Sequence, residues 1–153
     1  MHKTLTVGMI SLKAHEVMSV DIEAATENAS LIEVATRIIL GIFNGMPIID
    51  GNGHPAGQIT TIDILKAIRN GKDINNTIVK EAMSPNPFTV EENTSVDEII
   101  KLMDKYGVMM VPVVQKDGRL IGVCSRSDIL KEILNEKFVM IGRKRTATTI
   151  IGG

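Results

Sequence analysis

The 153-residue sequence lacks tryptophan and has only three phenylalanines, one tyrosine and one cysteine. Its core must therefore be built from aliphatic side chains, with nine methionines available to fill irregular gaps. The one cysteine, Cys124, excludes an internal disulfide and lies in an apolar run. We therefore expect a buried thiol and a protein of a reducing compartment, the cytoplasm.

The sequence also lacks an excess of charge of either sign, because 17 basic and 18 acidic residues leave a formal net charge of −1. That value gives no long-range attraction for nucleic acid or for an anionic membrane. No apolar run approaches the roughly 20 residues of a membrane span, and we expect no signal peptide because neither end of the sequence has the pattern of one. His2, His15 and His54 have no metal-ligand spacing with each other or with Cys124. We expect a soluble protein without a metal, and without a nucleophile that could make it an enzyme.

The main feature of the sequence is an internal repeat. A shift of 65 residues aligns residues 17–69 with residues 82–134 without a gap and gives 14 identities in 53 positions. Met18-Ser19 falls on Met83-Ser84, and several of the other pairs exchange one aliphatic residue for another. Two copies predict a paired domain and not an open solenoid. Each copy is too small to stand well alone, so we expect the copies to pack about a pseudo-two-fold axis.

Each copy predicts the order β-α-β-β-α, an α+β fold. The opening strands are predicted at 21–25 and 87–90. The first helices follow the capping boxes Ser30-x-x-Glu33 and Ser95-x-x-Glu98 and end near Gly41 and Gly107. Apolar residues at helical spacing predict the core-facing sides of these helices: Leu31, Val34, Ala35, Ile38 and Ile39 in copy one, and Val96, Ile99, Ile100 and Met103 in copy two.

A hairpin and a second helix complete each copy. The predicted strands are 46–49 with 56–60, and 111–114 with 120–124, and each pair is joined by turn residues that include glycine. The second helices are predicted from about 61 to 69 and from about 126 to 134. The predicted organisation is an N-terminal extension (1–15), repeat 1 (16–70), a linker (71–81), repeat 2 (82–135) and a C-terminal tail (136–153).

A hydroxyl and a carboxylate stand three residues apart where each return strand becomes a helix. The pairs are Thr60 with Asp63, and Ser125 with Asp128. One interpretation is that both pairs are only helix caps. The other is a nucleotide site, because a helix N-terminus suits a phosphate and a carboxylate can accept hydrogen bonds from both hydroxyls of a ribose.

These features together resemble a tandem pair of CBS domains, also called a Bateman module. The resemblance covers about residues 16–135. It rests on the Met-Ser openings, on Pro47 and Pro112, on the glycine-containing hairpins and on the Gly-x-x-Thr/Ser-x-x-Asp exits. It implies two β-α-β-β-α units packed sheet to sheet, with clefts that hold adenosine-containing ligands such as AMP, ADP, ATP or S-adenosylmethionine. It also implies a regulatory module without catalysis, commonly a homodimer, here expected to stand alone.

The resemblance assigns the site by position. Asp63 and Asp128 would hold ribose, and Thr60 and Ser125 would lie toward phosphate. Each exit motif would face the opening segment of the other copy. The residues expected to bind the ligand are Ser125, Asp128, Arg126, Met18, Ser19, Ile22 and Met110 at one site, and Thr60, Asp63, Met83, Pro87 and Phe88 at the other. Phe88 would form an apolar wall, with a place in the core as the equal alternative.

Two departures from the family bear on the ligand. The residues before the second strand's proline, often His or Arg in members that grip phosphate, are Asn44-Gly45 and Met109-Met110 here. Arg126 is the main substitute cation, with Lys80 and Arg119 as weaker ones, while the methionines would pack against adenine or in the core. We expect the second site to bind better, because Arg126 has no counterpart at Thr61.

The leading hypothesis is therefore a regulatory module that binds an adenine nucleotide or an adenosyl compound as effector, with no obligatory cofactor. The alternative is a ligand-independent dimerisation module in which the exit motifs are only helix caps. The regulated protein and the role of the tail are not predicted by the sequence.

Overall fold

The structure is a computed structural model that describes residues 11–85 and 88–142, with the backbone alone for 136–142. It confirms the α+β class and the two repeats, each with its own three-stranded sheet. In order along the chain, the elements are α1 (Ala14–Val17), β1 (Ala25–Thr26), α2 (Leu31–Gly41), β2 (Gly45–Ile49), β3 (Pro55–Thr60), α3 (Thr61–Arg69), a 3₁₀ turn (Val79–Glu81), β4 (Val90–Glu91), α4 (Val96–Tyr106), β5 (Met110–Val114), β6 (Leu120–Ser125) and α5 (Arg126–Gly142).

The two sheets have the same topology. In each, a two-residue opening strand runs parallel to the central strand, and the central strand pairs with the return strand as an antiparallel hairpin. Both hairpins carry an irregularity at the same place, between Ile48 and Ile49 and between Val113 and Val114. The repeat in the sequence is therefore a repeat of backbone register as well.

Three boundaries differ from the prediction. The second opening strand was predicted at 87–90, but its ladder pairing covers only Val90–Glu91. The first opening strand was predicted at 21–25, but ladder pairing begins only where Ala25 lies opposite Ile48. Before that point the Ala24 carbonyl accepts a hydrogen bond from Arg37 at 3.0 Å, which holds the approach outside the sheet. The last helix continues to Gly142, since no strong stop signal follows Leu134.

The segment before each repeat packs into the core of the other. Leu12, Ala14 and Val17 are buried in the second-copy core, and Val79, just before the second repeat, is fully buried in the first-copy core. Parts of the predicted N-terminal extension and of the predicted linker therefore contribute buried side chains to the two cores. Neither repeat has a complete core without the segment that precedes its partner.

Backbone hydrogen bonds fix this exchange. Ser19 exchanges two with Val123, at 2.9 and 3.0 Å, and Ser84 exchanges two with Gln58, both at 2.9 Å. The hairpin turns meet as well, since the Leu120 N–H donates to the Gly53 carbonyl at 3.0 Å. The two opening segments thus lie along the return strands that lead to the exit motifs.

The predicted capping boxes of the first helices are only half present. The Glu98 N–H donates to Ser95 Oγ at 3.2 Å, as expected for α4. Ser30 makes no side-chain cap for α2, so that prediction was wrong. Its backbone instead bridges to Ile78, which ties the start of α2 to the segment exchanged between the copies.

The end of α2 holds an unusual residue. Ile42 adopts the left-handed conformation (φ 56°), where the second copy has Gly107 at φ 66°. A β-branched residue there costs roughly 1–3 kcal/mol of backbone strain. Ile39 was predicted to face the core and instead is exposed, because Leu31, Val34 and Ile38 already complete the buried side of the helix.

Candidate functional site

The first exit motif is a closed hydrogen-bonded cap. The N–H and hydroxyl of Thr60 donate to Asp63 Oδ2 at 2.9 and 2.8 Å, and the Asp63 N–H donates to Thr60 Oγ1 at 3.3 Å. Ser84 comes from the exchanged segment and donates its hydroxyl to Asp63 Oδ1 at 2.9 Å. Both carboxylate oxygens of Asp63 are therefore engaged within the protein.

The second exit motif has two of the three hydrogen bonds that join Thr60 and Asp63 in the first, and among the described residues one oxygen of its carboxylate has no donor. The Ser125 N–H donates to Asp128 Oδ2 at 3.1 Å, and the Asp128 N–H donates to Ser125 Oγ at 3.0 Å. Ser19 stands at the position of Ser84 in the repeat, yet no described residue donates a hydrogen bond to Asp128 Oδ1. A half-buried carboxylate with a vacant oxygen can accept hydrogen bonds from a ligand that brings its own hydroxyls.

Both exit motifs open into one cleft of about 780 Å³ between the copies. The cleft is large enough for a drug-sized or nucleoside-sized molecule. Eight of the twelve predicted site residues line it: Ser19, Ile22, Thr60, Asp63, Met110, Ser125, Arg126 and Asp128. The opening segment of copy one, with Ser19 and Ile22, and the exit motif of copy two thus line the same cleft.

Three of the other four predicted site residues, Met18, Met83 and Phe88, are not part of the cleft lining. Met18 and Met83 pack against glycines of the return strands, where their sulfur atoms occupy the space that a Cβ on Gly122 or Gly57 would need. The Phe88 ring stacks on Tyr106 with centroids 4.1 Å apart. Pro87 falls outside the described residues.

The charges of the cleft differ from those expected. Arg126 lines it, but its Nε donates to the Val108 carbonyl at 3.2 Å, and neither Lys80 nor Arg119 belongs to the lining. Lys131, one helical turn beyond Asp128, lines the cleft and was missed. Carboxylates outnumber cations in the lining, which includes Asp21, Glu23, Asp63 and Asp128 against Arg126 and Lys131.

The helix N-terminus beside Asp128 offers little to a phosphate. The Arg126 N–H donates to the Met109 carbonyl at 3.0 Å, and the Asp128 N–H is used by Ser125. Of the first three N–H groups of α5, only that of Ser127 remains for a ligand. The anion-binding capacity of a helix end is therefore mostly spent within the protein.

Met109, just before β5, and Met110, its first residue, belong to the cleft and not to the buried core. Met109 is 41% exposed, and both Met109 and Met110 line the cleft together with Tyr106. This gives one wall a soft apolar surface that suits an aromatic base or a thioether. Tyr106 carried no recognisable pattern in the sequence, whereas Ser84 could have been found from its alignment with Ser19.

Cys124 is the buried small residue that its sequence context predicts. Its Sγ contacts the Ala14 carbonyl at 3.7 Å, and burial, with the nearby Asp128 charge as the second cause, raises the pKa of the thiol to about 12. Within residues 11–85 and 88–142, no group of three His, Cys, Asp or Glu side chains could hold a metal ion.

A helix must be long and apolar to cross a bilayer, and no helix within the described segments meets both requirements.

Comparison with known proteins now decides the family. The sequence model of the CBS domain matches residues 14–70 and again residues 79–135. The chain belongs to the CBS domain family. The two matches coincide with the two sheets of the structure, and the cleft lies between the two domains of this CBS pair.

A curated relative is an uncharacterized protein of Methanopyrus kandleri, 31% identical over 124 residues. That match covers 80% of this chain and 63% of the relative. A second curated relative is matched over only 20% of its length. The CBS pair therefore spans only part of these relatives.

Solved structures show the same arrangement. The CBS domain pair of protein MJ0100, in complex with 5′-methylthioadenosine and S-adenosyl-L-methionine, is 32% identical, with a TM-score of 0.70 over 78% of this chain and 98% of that one. CBSX2 in complex with AMP has a TM-score of 0.73 over 83% of this chain and 99% of that one. At 22% identity, the second likeness shows the fold alone.

Proposed function

We propose that this CBS pair is a regulatory module that binds an adenosine-containing ligand in its inter-domain cleft and catalyses no reaction on it. Asp128 carries the proposal, because it lines the cleft together with Ser125 and its Oδ1 receives no hydrogen bond from the residues that the structure describes, so that this oxygen can accept hydrogen bonds from a ribose. The relative of 32% identity that was solved with two adenosyl compounds supports the same class of ligand.

The charges favour particular members of that class. A lining with more carboxylates than cations, and a helix end whose N–H groups are mostly used, would repel a triphosphate. Met109 and Met110 offer an apolar wall to adenine or to a thioether. We therefore infer that a thioadenosine or the cationic S-adenosylmethionine binds more tightly than AMP, and AMP more tightly than ADP or ATP.

The two exit motifs would not bind equally. Asp63 is fully occupied by Thr60 and Ser84, so a ribose at that end would have to displace the Ser84 hydroxyl. Asp128 requires no such exchange. One ligand on the Asp128 side is therefore the expected stoichiometry at moderate concentration.

Ligand binding would be signalled by a change in the angle between the two domains or in the packing of a homodimer of the module. The cleft is lined by residues from both copies, so a bound ligand would favour one arrangement of the domains over another. The shift is limited to the ligand's differential affinity for the two states, typically about 1–3 kcal/mol. The regulated partner would respond to that change. We infer a cytoplasmic location, because a single cysteine with a buried thiol is typical of proteins from a reducing compartment.

A second candidate function is a ligand-independent association module. It is favoured by the first exit motif, where Thr60, Asp63 and Ser84 already form a complete capping network with no vacancy. In that case Ser125 and Asp128 would also serve only as a helix cap. The two candidates differ in a single observable, which is stabilisation by adenosyl ligands.

The test is a thermal-unfolding series with 5′-methylthioadenosine, S-adenosylmethionine, AMP, ADP and ATP. Guanosine is the control nucleoside, because it has the same ribose and a different base. A ligand at a hundred times its Kd adds about 2.7 kcal/mol of apparent stability. The proposal expects the first two to raise the midpoint most and ATP least. No shift with any adenosine compound would leave the association module as the better account.

A further inference from the structure

Helix α2 is tied to the opening segment of the first copy by one arginine. Arg37 Nη2 donates hydrogen bonds to Glu23 Oε2 at 2.7 Å and to the Ala24 carbonyl at 3.0 Å. Both acceptors lie just before β1, where ladder pairing has not yet begun. One nitrogen of Arg37 therefore holds both a side chain and the backbone of this stretch against the helix.

Glu23 belongs to the wall of the cleft, whereas Arg37 lies outside the lining. Both remain partly exposed, with 51% of the Glu23 side chain and 33% of the Arg37 side chain accessible. Of the four carboxylates in the lining, Glu23 is the one that forms an ion pair within the described residues. Opposite charges this close largely cancel at a distance, so the pair presents a nearly neutral surface to the cleft.

The same joint in the second copy is aromatic. The repeat places Phe88 at the position of Glu23 and Leu102 at the position of Arg37. Phe88 stacks on Tyr106 at the end of α4, with ring centroids 4.1 Å apart, and is not part of the cleft lining. Of these two aligned positions in the opening segments, only Glu23 therefore brings a charge to the wall of the cleft.

The cleft is small enough for this charge to act throughout it. A cube with the cleft's volume of about 780 Å³ has an edge of roughly 9 Å, and the screening length of water is about 10 Å at 0.1 M salt and about 30 Å at 0.01 M. A charge in the wall is thus felt by a ligand anywhere in the cleft at low salt.

We propose that Arg37 is a positioning residue that sets the charge preference of the cleft by neutralising Glu23. Without Arg37, the Glu23 carboxylate would favour cationic adenosyl compounds and repel anionic ones. Without the charge of Glu23, the Arg37 guanidinium would have the opposite effect. The inference rests on the proposed adenosine site and deepens it, because it assigns the choice among ligands to a residue outside the lining.

The experiment is isothermal titration of the full chain at low salt with three ligands that share adenosine. These are the uncharged 5′-methylthioadenosine, S-adenosylmethionine with its cationic sulfonium, and the anionic AMP. The variants are Arg37→Gln and Glu23→Gln. Their matched controls are Lys101→Gln and Asp97→Asn, which change the net charge equally and break an ion pair of 3.1 Å on α4, outside the cleft lining.

The ratio of S-adenosylmethionine affinity to AMP affinity is the readout. Arg37→Gln should raise this ratio at least roughly threefold and Glu23→Gln should lower it by a similar factor, and both shifts should shrink in about 0.5 M salt. Thermal stability without ligand should hardly change, because partly exposed ion pairs contribute little. A ratio that does not move, or that moves in the same direction in both variants, would overturn the proposal. Equal shifts in the control variants would do so too, since net charge alone would then explain them.

The double variant Arg37→Gln/Glu23→Gln separates charge from backbone position. With both charges gone, the ratio should return to that of the unmodified protein. If it keeps the shift of Arg37→Gln, the lost bond to the Ala24 carbonyl is the cause, and the charge assignment is wrong. Binding by the unmodified protein distinguishes the two proposals: no affinity for any of the three ligands refutes the adenosine site as well, whereas binding with an unmoved ratio refutes only the role of Arg37.

Discussion

The Ser84 hydroxyl donates a hydrogen bond of 2.9 Å to Asp63 Oδ1, across 21 residues of chain. Its counterpart in the repeat, Ser19, gives no such bond to Asp128 within the part of the chain that the structure describes. This hydrogen bond is a main difference between the two exit motifs, beside the bond from the Thr60 hydroxyl to Asp63 Oδ2, which Ser125 does not repeat among the described residues. Under the proposed function, the Ser84 bond would close the first motif against a ribose and leave the second open.

Replacing Ser84 should change both stability and stoichiometry. Ser84→Ala removes a part-buried hydrogen bond, so the free energy of unfolding should fall by about 1 kcal/mol. It also frees Asp63 Oδ1, and calorimetric titration with 5′-methylthioadenosine should then show a tighter second binding event. Ser19→Ala is the matched control and should leave stability nearly unchanged. A second event identical to that of the unmodified protein would refute the idea that Ser84 blocks the first motif.

The two return-strand glycines should tolerate alanine unequally. A Cβ on Gly57 would lie 2.6 Å from the Ser84 backbone carbonyl, whereas on Gly122 the nearest atoms all belong to the flexible Met18 side chain. Overpacking of a rigid site typically costs about 1–3 kcal/mol. We expect Gly57→Ala to lose stability in that range and Gly122→Ala to lose less, as measured by urea unfolding. The reverse order would show that Met18 is held more rigidly than the exchanged backbone.

The thiol of Cys124 should be inert in the folded protein. Burial raises its pKa to about 12, so at pH 8 the thiolate, which is the reacting form, is far scarcer than in an exposed cysteine. Iodoacetamide labelling followed by mass spectrometry should show slow reaction in the native protein and rapid reaction in urea. Because the folded pKa is raised, labelling should accelerate only as the pH approaches that value. Fast native labelling at pH 8 would mean that the site opens readily.

The repeat explains why most of the fold was predictable. Copies of one pattern reinforce each other, so the bounds of the four hairpin strands agree with the prediction within one residue. The opening strands begin three or four residues later than predicted. The exposure of Ile39 was not predictable, because helical spacing cannot tell which apolar residues exceed the space available in the core. The strain at Ile42 was equally hidden, although its alignment with Gly107 gave a clue.

The candidate site was less predictable for a physical reason. The hydrogen bond from Ser84 depends on how the exchanged segment lies along Gln58, a contact between distant residues that no local pattern contains. Lys131 follows Asp128 by three residues, so helical spacing could have placed it on the same side. Phe88 shows the limit most plainly, since its stacking on Tyr106 joins residues without any sequence relation.

The central claim is that Asp128 accepts the ribose of an adenosyl ligand, and Asp128→Asn tests it most directly. The amide oxygen can still cap Ser125 while the charge is lost, so the fold should survive. Loss of a hydrogen bond to a charged group costs about 1.5–3 kcal/mol, or roughly 10- to 100-fold in affinity. Isothermal titration with 5′-methylthioadenosine should show that loss for Asp128→Asn and a change below about threefold for Asp63→Asn. Unaltered affinity in a folded Asp128→Asn protein would contradict the account.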